Sequence, residues 1–529
     1  MFIISIGFER FMMNSMVDDP MNVGIRAMEL YFPRTYVEQS DLEKFDKVTP
    51  GKYTIGLGQK QMAFCADHED IASICMTVLT ALLERYQIDP SAVGFLAVGT
   101  ETLIDKSKGV KTQLMEIFGA NTDIEGVDVK NACFGGTQAL LHAVDWVYAN
   151  WRTEKRYAIV VMGDIAIYEP GAARCTGGVG AFAALIGPDA LVALDRGLRA
   201  MFMTNVWDFY KPIGGVSKEF PVVNGPVSLT SYMRALDSTY RAYRTKAARI
   251  ENRDVNLSSF DALMFHSPFC RLVRKAFARL GYWDYVSGAV DHLYEPDRFK
   301  PFCSMKLDDT YTSREFMDAA LATSEELWHT KVDPYLLFNM RVGNMYTPSL
   351  YAQLVALFHR SSSLESLLGQ RILFFSYGSG AASAMFSATI CDSHDHHSAK
   401  RQYRLMKESA DAAAARLDSR VCVSPERYTQ ILHLREKLIE IGAKCQYRLM
   451  KESADAAAAR LDSRVCVSPE RYTQILHLRE KLIEIGAPYD PEALSEIGKS
   501  DELCLFSSTF YLASIDSKYR RSYSRTPSV

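Results

Sequence analysis

The chain has 529 residues, 48% of them hydrophobic and 23% charged, with a formal net charge of −3. The length suggests about two to four domain-sized units, and the composition is that of a soluble globular protein able to bury a core. No basic stripe supports a nucleic-acid partner, and no apolar run approaches the roughly 18 residues of a membrane span.

The first residues, MFIISIGFERFMMNSMVDDP, have no basic region before the apolar Met1–Gly7 and no small-residue cleavage site after it, so they make a poor secretory signal. Arg10 is offset by Glu9, and Asp18 and Asp19 follow. That balance argues against an Arg-rich, acid-poor mitochondrial presequence. The reading is a cytosolic protein with a disordered leader over 1–21. Eleven widely spaced cysteines without a C-x-x-C pair suggest reduced thiols. Cys391, His394, His396 and His397 lack the spacing of a zinc site and read as a polar loop.

In chain order, Ile71, Ile74, Cys75, Val78, Leu79 and Leu82 recur at helical spacing. VGFLAVGT (Val93–Thr100) reads as a buried strand. Leu140, Ala143, Val144 and Val147 form a second helical stripe, and YAIVVMGD and GAFAALIG are further strands. This alternation predicts an α/β half over 22–195. Residues 196–254 are rich in aromatics and read as an irregular connector. From 255 the rhythm returns with DALMFHSP, the helix SLYAQLVALFHR and the strand RILFFSYGSG, a second half running to 529.

Within that half, Gln402–Ala443 recurs without a single change as Gln446–Ala487. Structural repeats of this period drift in sequence, so identity this complete marks a recent duplication or an error of gene assembly. Each unit carries its own helix: Ser424 suits an N-cap, Pro425 the first turn and Gly442 the end, with Tyr428, Ile431, Leu438 and Ile439 apolar. One copy is expected to pack and the other to be surplus.

The stretch NACFGGTQALLHAV (Asn131–Val144) puts Cys133 between a strand, Val127–Val129, and a helix from about Gly135. Unpaired N–H groups and the dipole at a helix start favour negative charge, which predicts a lowered thiol pKa and a nucleophile. The glycines would leave room for an acyl group, and backbone N–H groups could form an oxyanion hole. A cysteine also serves as a small buried hydrophobe, and local sequence leaves both readings open.

Five motifs then occur in order: VGTETLIDKSKGVKT, NACFGGT, TGGVGA, HSPFC and FSYGSG. The ordered set resembles the 3-hydroxy-3-methylglutaryl-CoA synthases of the thiolase-like superfamily, from about Asn22 to the end with one repeat copy surplus. The resemblance implies a duplicated thiolase-like fold, two α/β halves in αβαβα layers, and a homodimer. It also implies condensation of acetyl-CoA with acetoacetyl-CoA and water, with no metal or redox cofactor. Matched one at a time, Cys133 is the acylated cysteine, Glu101 the general acid/base and His266 the histidine of the second half. Asn344 matches the asparagine that holds the acetoacetyl thioester. Ser376 would offer a backbone N–H in a glycine-rich turn, and Asp164 and Asp208 would organise the site, with Thr176 of TGGVGA beside the substrate.

Burial is expected to raise the pKa of Glu101 toward that of a useful base. Arg271, Arg274 and Lys275 share a helix face and are candidates for the CoA phosphates. Two positions depart from the family: Cys175 stands where proline is usual, which predicts a less rigid loop, and Arg271 stands where lysine is common. The alternatives are a ketoacyl synthase, whose carbanion comes from decarboxylation, and a catalytically dead acyl-CoA-binding protein. A redox thiol protein is a weaker third.

Overall fold

Nine apolar strands hydrogen-bond into one mixed sheet that runs through both halves of the chain. The computed structural model describes residues 20–432, apart from 67, 104, 106, 170, 212, 215, 218, 219 and 393–395, together with 510–515 and 521–525. The strands are β1 (Gly24–Tyr31), β2 (Val93–Gly99), β3 (Asp128–Val129), β4 (Tyr157–Ala166), β5 (Gly178–Gly187), β6 (Val192–Met203), β7 (Ala262–Phe265), β8 (Arg371–Gly378) and β9 (Ala382–Ile390). Their order across the sheet is β7-β8-β9-β6-β1-β5-β4-β2-β3.

The order contains a repeat. In the first half β2 pairs parallel with β4, β4 antiparallel with β5, and β5 antiparallel with β1. In the second half β7 pairs parallel with β8, β8 antiparallel with β9, and β9 antiparallel with β6. The halves join edge to edge where Gly24 and Ile25 of β1 meet Ala193 and Val192 of β6. By this correspondence β2, which leads to Glu101, and β7, which leads to His266, occupy the same place in their halves.

The helices are α1 (Ile71–Tyr86), α2 (Gly135–Glu154), α3 (Gly225–Glu251), α4 (Cys270–Val286), α5 (Tyr351–Arg360) and α6 (His396–Asp418). The predicted stripe from Ile71 is α1. It starts with a capping box in which Ser73 N donates to Asp70 Oδ1 and Asp70 N to Ser73 Oγ, both at 2.9 Å. Strand alternation sorts the layers. On β4, Gly163 faces Cys75 of α1, whereas Met162 faces Gly136 of α2. Phe182 of β5 stacks on Tyr351 of α5, and Tyr351 Oη lies 2.8 Å from Thr137 Oγ1 of α2. On β8, Ile372 and Phe374 join this inner core, while Leu373 and Phe375 pack with residues of α3 and α4. Thus α2 and α5 form the middle layer and α1 and α3/α4 the outer ones, the αβαβα order expected.

The stretch 196–254 is not the irregular connector predicted. β6 crosses its start and pairs with β9, and the 27-residue α3 covers β6 and β9. Its exposed face is basic, with Arg234, Arg241 and Arg249, and its core face is polar-tipped, with Tyr232, Tyr240 and Tyr243, which together weaken the periodic signal.

The first copy of the duplicated segment is built into the fold. Gln402 bonds Leu191 N and Asp189 O, each at 3.0 Å, and Ser409 Oγ bonds Met28 O at 3.0 Å. Val421–Cys422 then adds parallel to the strand Thr35–Glu38. A helix follows, with Arg427 N donating to Ser424 Oγ at 3.3 Å as the cap chemistry predicts. Tyr428 packs on Phe64, and the Arg174 guanidinium lies 5.0 Å from its ring. Leu438, Ile439, Gly442 and the whole second copy, 446–487, lie outside the described residues. Because one copy already makes these contacts, deletion of 444–487 is expected to leave both the thermal midpoint and the activity intact. The change in loop-closure cost alone amounts to roughly 0.6 kcal/mol or less. Thermal melts and turnover of the shortened chain check this.

Candidate active site

Asp164, on β4, is fully buried and gathers the turn that follows β2. Its Oδ1 accepts from Glu101 N (2.8 Å), Thr102 N (3.1 Å), Thr100 Oγ1 (3.0 Å) and Thr102 Oγ1 (2.9 Å). Its Oδ2 accepts from the N–H (3.1 Å) and hydroxyl of Thr347, a residue of the second half. One carboxylate therefore fixes the backbone of Glu101 and ties the two halves together. Burial pushes the Asp164 carboxyl above its ordinary pKa, the expected cost of desolvating a charge.

Cys133 lies in the turn between β3 and α2, and the Ala132 before it takes φ +45°. That left-handed conformation costs a non-glycine residue about 1 kcal/mol or more and turns the sulfur toward β2. Close packing completes the approach. A Cβ on Gly99 would sit 2.3 Å from Gly136 Cα, and one on Gly136 would sit 2.8 Å from Met162 Sδ. The glycines of NACFGGT thus let α2 press on β2 and β4, a task different from the predicted space for an acyl group. The result is Cys133 Sγ 3.4 Å from Glu101 Oε1, with Cys133 itself partly accessible.

The charge states follow from burial. Glu101 is pushed up to about 7, chiefly by desolvation and then by Asp164, against the opposing pull of Lys211. This agrees with the sequence expectation. The thiol does not: burial, with Glu101 and Asp164 beside it, drives Cys133 well above its ordinary value. The helix start cannot offset this, because Phe134 N and Gly135 N already donate to Asn131 O and Ala132 O (3.1 and 3.2 Å). The resting pair is a neutral thiol donating to a carboxyl group that can take a proton near neutral pH.

The second half supplies its own groups. His266 follows β7, its N–H donates to Phe375 O (2.8 Å), and Tyr232 Oη donates to its carbonyl (2.7 Å). Burial lowers its pKa to about 3, so the ring is a neutral hydrogen-bond donor at physiological pH. Among the described residues its ring nitrogens have no hydrogen-bond partner. Asn344 lies in the loop before α5, with Oδ1 accepting from Tyr346 N (2.9 Å) and Ser349 Oγ (3.0 Å). This leaves the Asn344 NH2 group uncommitted among the described residues. Tyr346, two residues on, packs with Tyr168 beside Cys133.

Two expectations, for Ser376 and Arg274, need correction. Ser376 lies inside β8, paired with Ala384, and not in the glycine-rich turn. Its hydroxyl accepts from Thr137 Oγ1 (2.8 Å). The residue that meets the cysteine turn is Gly378, where a Cβ would stand 2.4 Å from Asn131 O and 2.5 Å from Phe134 N. Asp208, expected to organise the site, is fully buried and accepts from Tyr377 Oη and Gly380 N, both at 2.9 Å, and so props the β8–β9 turn. Arg274 is ion-paired with Glu325, with its guanidinium 6.0 Å from the Trp328 ring centroid. Arg271 and Lys275, on the same stretch of α4, are partly exposed and have no ion-pair partner among the described residues.

Thr176 Oγ1 donates to Ala173 O (2.7 Å) in the short turn Arg174–Thr176. The loop predicted to loosen at Cys175 is braced instead, by Gln39 Nε2 on Cys175 O (2.7 Å) and by the Arg174–Asp46 ion pair (3.1 Å). His396 bonds Asp392 (2.9 Å), and no group of three or more potential metal ligands occurs among the described residues. His394 lies outside them. Sequence reasoning missed Lys211, whose Nζ is 3.5 Å from Glu101 Oε2, together with Tyr346, Thr347 and Gly378. All four stand close in sequence to residues already singled out: Lys211 to Asp208, Tyr346 and Thr347 to Asn344, and Gly378 to Ser376 within FSYGSG.

Asp164→Asn places an NH2 group against a cluster of N–H and O–H donors. It is expected to cost about 1–3 kcal/mol of stability and to lower kcat, read from urea unfolding and steady-state turnover.

Two family descriptions match the chain: hydroxymethylglutaryl-coenzyme A synthase N terminal over residues 19–191, and C terminal over 192–448 and again over 442–526. The boundary between them is the start of β6. The double C-terminal match is what two copies of one segment produce. A hydroxymethylglutaryl-CoA synthase of Caenorhabditis elegans is 48% identical over 423 residues, 78% of this chain and 86% of the relative. The mitochondrial enzyme of Homo sapiens is 46% identical, covering 79% and 82%. The cytoplasmic enzyme of Rattus norvegicus is 40% identical over 521 residues, 96% and 88%. Among solved structures, MvaS in complex with 3-hydroxy-3-methylglutaryl coenzyme A superposes with a TM-score of 0.69 at 29% identity, covering 95% of this chain and 99% of that one. The sheet order, the Cys133–Glu101 pair and these matches together make the chain a member of the hydroxymethylglutaryl-CoA synthase family.

Proposed function

We propose that the chain condenses acetyl-CoA with acetoacetyl-CoA and water to give 3-hydroxy-3-methylglutaryl-CoA and free CoA, through an acetyl thioester on Cys133. The observation that carries the residue assignment is the 3.4 Å approach of the partly accessible Cys133 sulfur to Oε1 of the buried Glu101. In the first step the sulfur attacks the acetyl carbonyl, and the CoA thiolate leaves and takes up the proton the thiol gives up. Glu101 then removes a proton from the acetyl methyl group. The resulting carbanion equivalent attacks the ketone carbon of acetoacetyl-CoA. The neutral imidazole of His266 donates a hydrogen bond to the developing alkoxide, and the proton held by Glu101 is returned to it. Water hydrolyses the Cys133 thioester, which frees the product carboxylate and restores the thiol. Splitting the reaction at a covalent intermediate avoids a three-body encounter.

The uncommitted NH2 group of Asn344 is assigned to the acetoacetyl thioester, and the unpaired Arg271 and Lys275 to CoA phosphates. Every proton and acyl transfer in this scheme falls to a side chain, to water or to the two thioesters, so it calls for no metal or redox cofactor. A decarboxylating ketoacyl synthase would have no use for a buried base, and the pKa of Glu101 near 7 favours the present reading over that one. The product is a precursor for mevalonate and hence isoprenoid and sterol synthesis. A cytosolic location is part of the proposal, supported by the match of the cytoplasmic Rattus norvegicus enzyme over 96% of the chain. A homodimer is part of the proposal, as the family resemblance implies.

Three substitutions separate the steps. Cys133→Ala is expected to take no label from radiolabelled acetyl-CoA. Glu101→Ala is expected to acquire label but to form no condensed product; loss of both steps would contradict the assignment. His266→Ala should lower kcat/KM for acetoacetyl-CoA by about 100-fold or more, with acetylation retained.

The pH dependence has a definite sign. Glu101 works in its ionised form, so condensation should be slow below about pH 7 and rise with pH through that value. A condensation rate still at its plateau at pH 5 would count against it.

A further inference from the structure

Lys211 is a charged neighbour to which the scheme above gives no task. It follows the short strand Phe209–Tyr210, which is held by Val222–Val223. Phe209 packs on the ring of Tyr346, which also lies 4.9 Å beneath the Lys211 ammonium. That placement brings Nζ to 3.5 Å from Glu101 Oε2, with the Lys211 side chain 18% exposed and that of Glu101 6%. The two oxygens of Glu101 are therefore divided: Oε2 faces the ammonium and Oε1 faces the Cys133 sulfur. The other groups facing Glu101 are the Cys133 thiol, Asp164, and the phenols of Tyr168 and Tyr346, none of them cationic.

We infer that Lys211 is a positioning residue for the condensation: it holds Oε2 so that Oε1 points at the acetyl group, and it keeps Glu101 ionised at neutral pH. The inference rests on the reading of Glu101 as the base. Desolvation alone would protonate a carboxyl group this buried, and an ammonium within about 4 Å is the counter-charge that opposes it. The stretch after β6 thereby delivers a cation to the acid in the turn that follows β2.

The test compares Lys211→Met, Lys211→Arg and Glu101→Gln in the full chain, measuring condensation against pH and acetyl labelling of Cys133. Lys211→Met is expected to label, to condense about tenfold more slowly at pH 7, and to shift the acid limb of the condensation profile upward by about one pH unit or more. Lys211→Arg should keep the limb of the unsubstituted enzyme. Where methionine prevents folding, Lys211→Gln replaces it, with circular dichroism melts confirming the fold. An acid limb that stays in place in the folded neutral variant overturns the inference, whatever its rate. Glu101→Gln tells the two failures apart: if it condenses normally, the base assignment itself falls. If it is inactive while the limb of the Lys211 variant is unmoved, only the role of Lys211 falls.

Discussion

The active site depends on one buried carboxylate that performs no chemistry. Asp164 accepts hydrogen bonds from the backbone and hydroxyls of Thr100–Thr102 with one oxygen and from Thr347 with the other. A reactive glutamate at the end of a strand would ordinarily swing free, because chain ends carry unpaired N–H groups and few packing contacts. Here those N–H groups end on Asp164, so the position of Glu101 is set by its main chain. The same carboxylate bonds a loop of the second half, which carries Asn344 and Tyr346. Assembly of the site is thereby coupled to docking of the two halves. A charge this buried is retained only if its partners are all in place, since a missing donor leaves desolvation uncompensated.

A second constraint is that the cysteine and the histidine of the site rest in their neutral forms. Burial raises the Cys133 thiol and Glu101 and lowers His266. Each group therefore holds or lacks a proton according to what its neighbours permit, and no thiolate waits exposed to oxidants. A reactive cysteine is commonly activated by a lowered pKa; in this geometry the sulfur instead donates to a carboxyl group whose pKa lies close to neutrality. Transfer of the proton from sulfur to that carboxylate is uphill, so the thiol gives it up only as it attacks the acetyl carbonyl. The surrounding turns serve this arrangement: Asp208 props the β8–β9 turn, and Gly378 of that turn leans on the backbone of the cysteine loop.

Much of this was legible in the residues. Long apolar runs such as YAIVVMGD and RILFFSYG state their burial directly, and the strand–helix rhythm gave both α/β halves. Glu101 and Cys133 stood out because each follows such a strand within a motif. Less legible was whatever depends on groups distant in the chain. Helix α3 buries tyrosines on one side and is basic on the other, so composition masks its period and the stretch reads as irregular. Arg274 reads as a phosphate contact because it is charged and lies near a motif; its partner, Glu325, is 51 residues away. The thiol pKa was misjudged for the same reason. A helix start is visible locally, whereas the burial and the two carboxyl groups that outweigh it arise only on folding.

The central claim is that Glu101 removes a proton from an acetyl group held on Cys133, and isotope exchange reads that step alone. The enzyme acetylated with acetyl-CoA in D2O near pH 8, without acetoacetyl-CoA, would be digested and the Cys133 peptide weighed. The account predicts that the acetyl methyl gains deuterium in the unsubstituted enzyme and stays protiated in Glu101→Gln. Equal deuterium uptake in the two would contradict it.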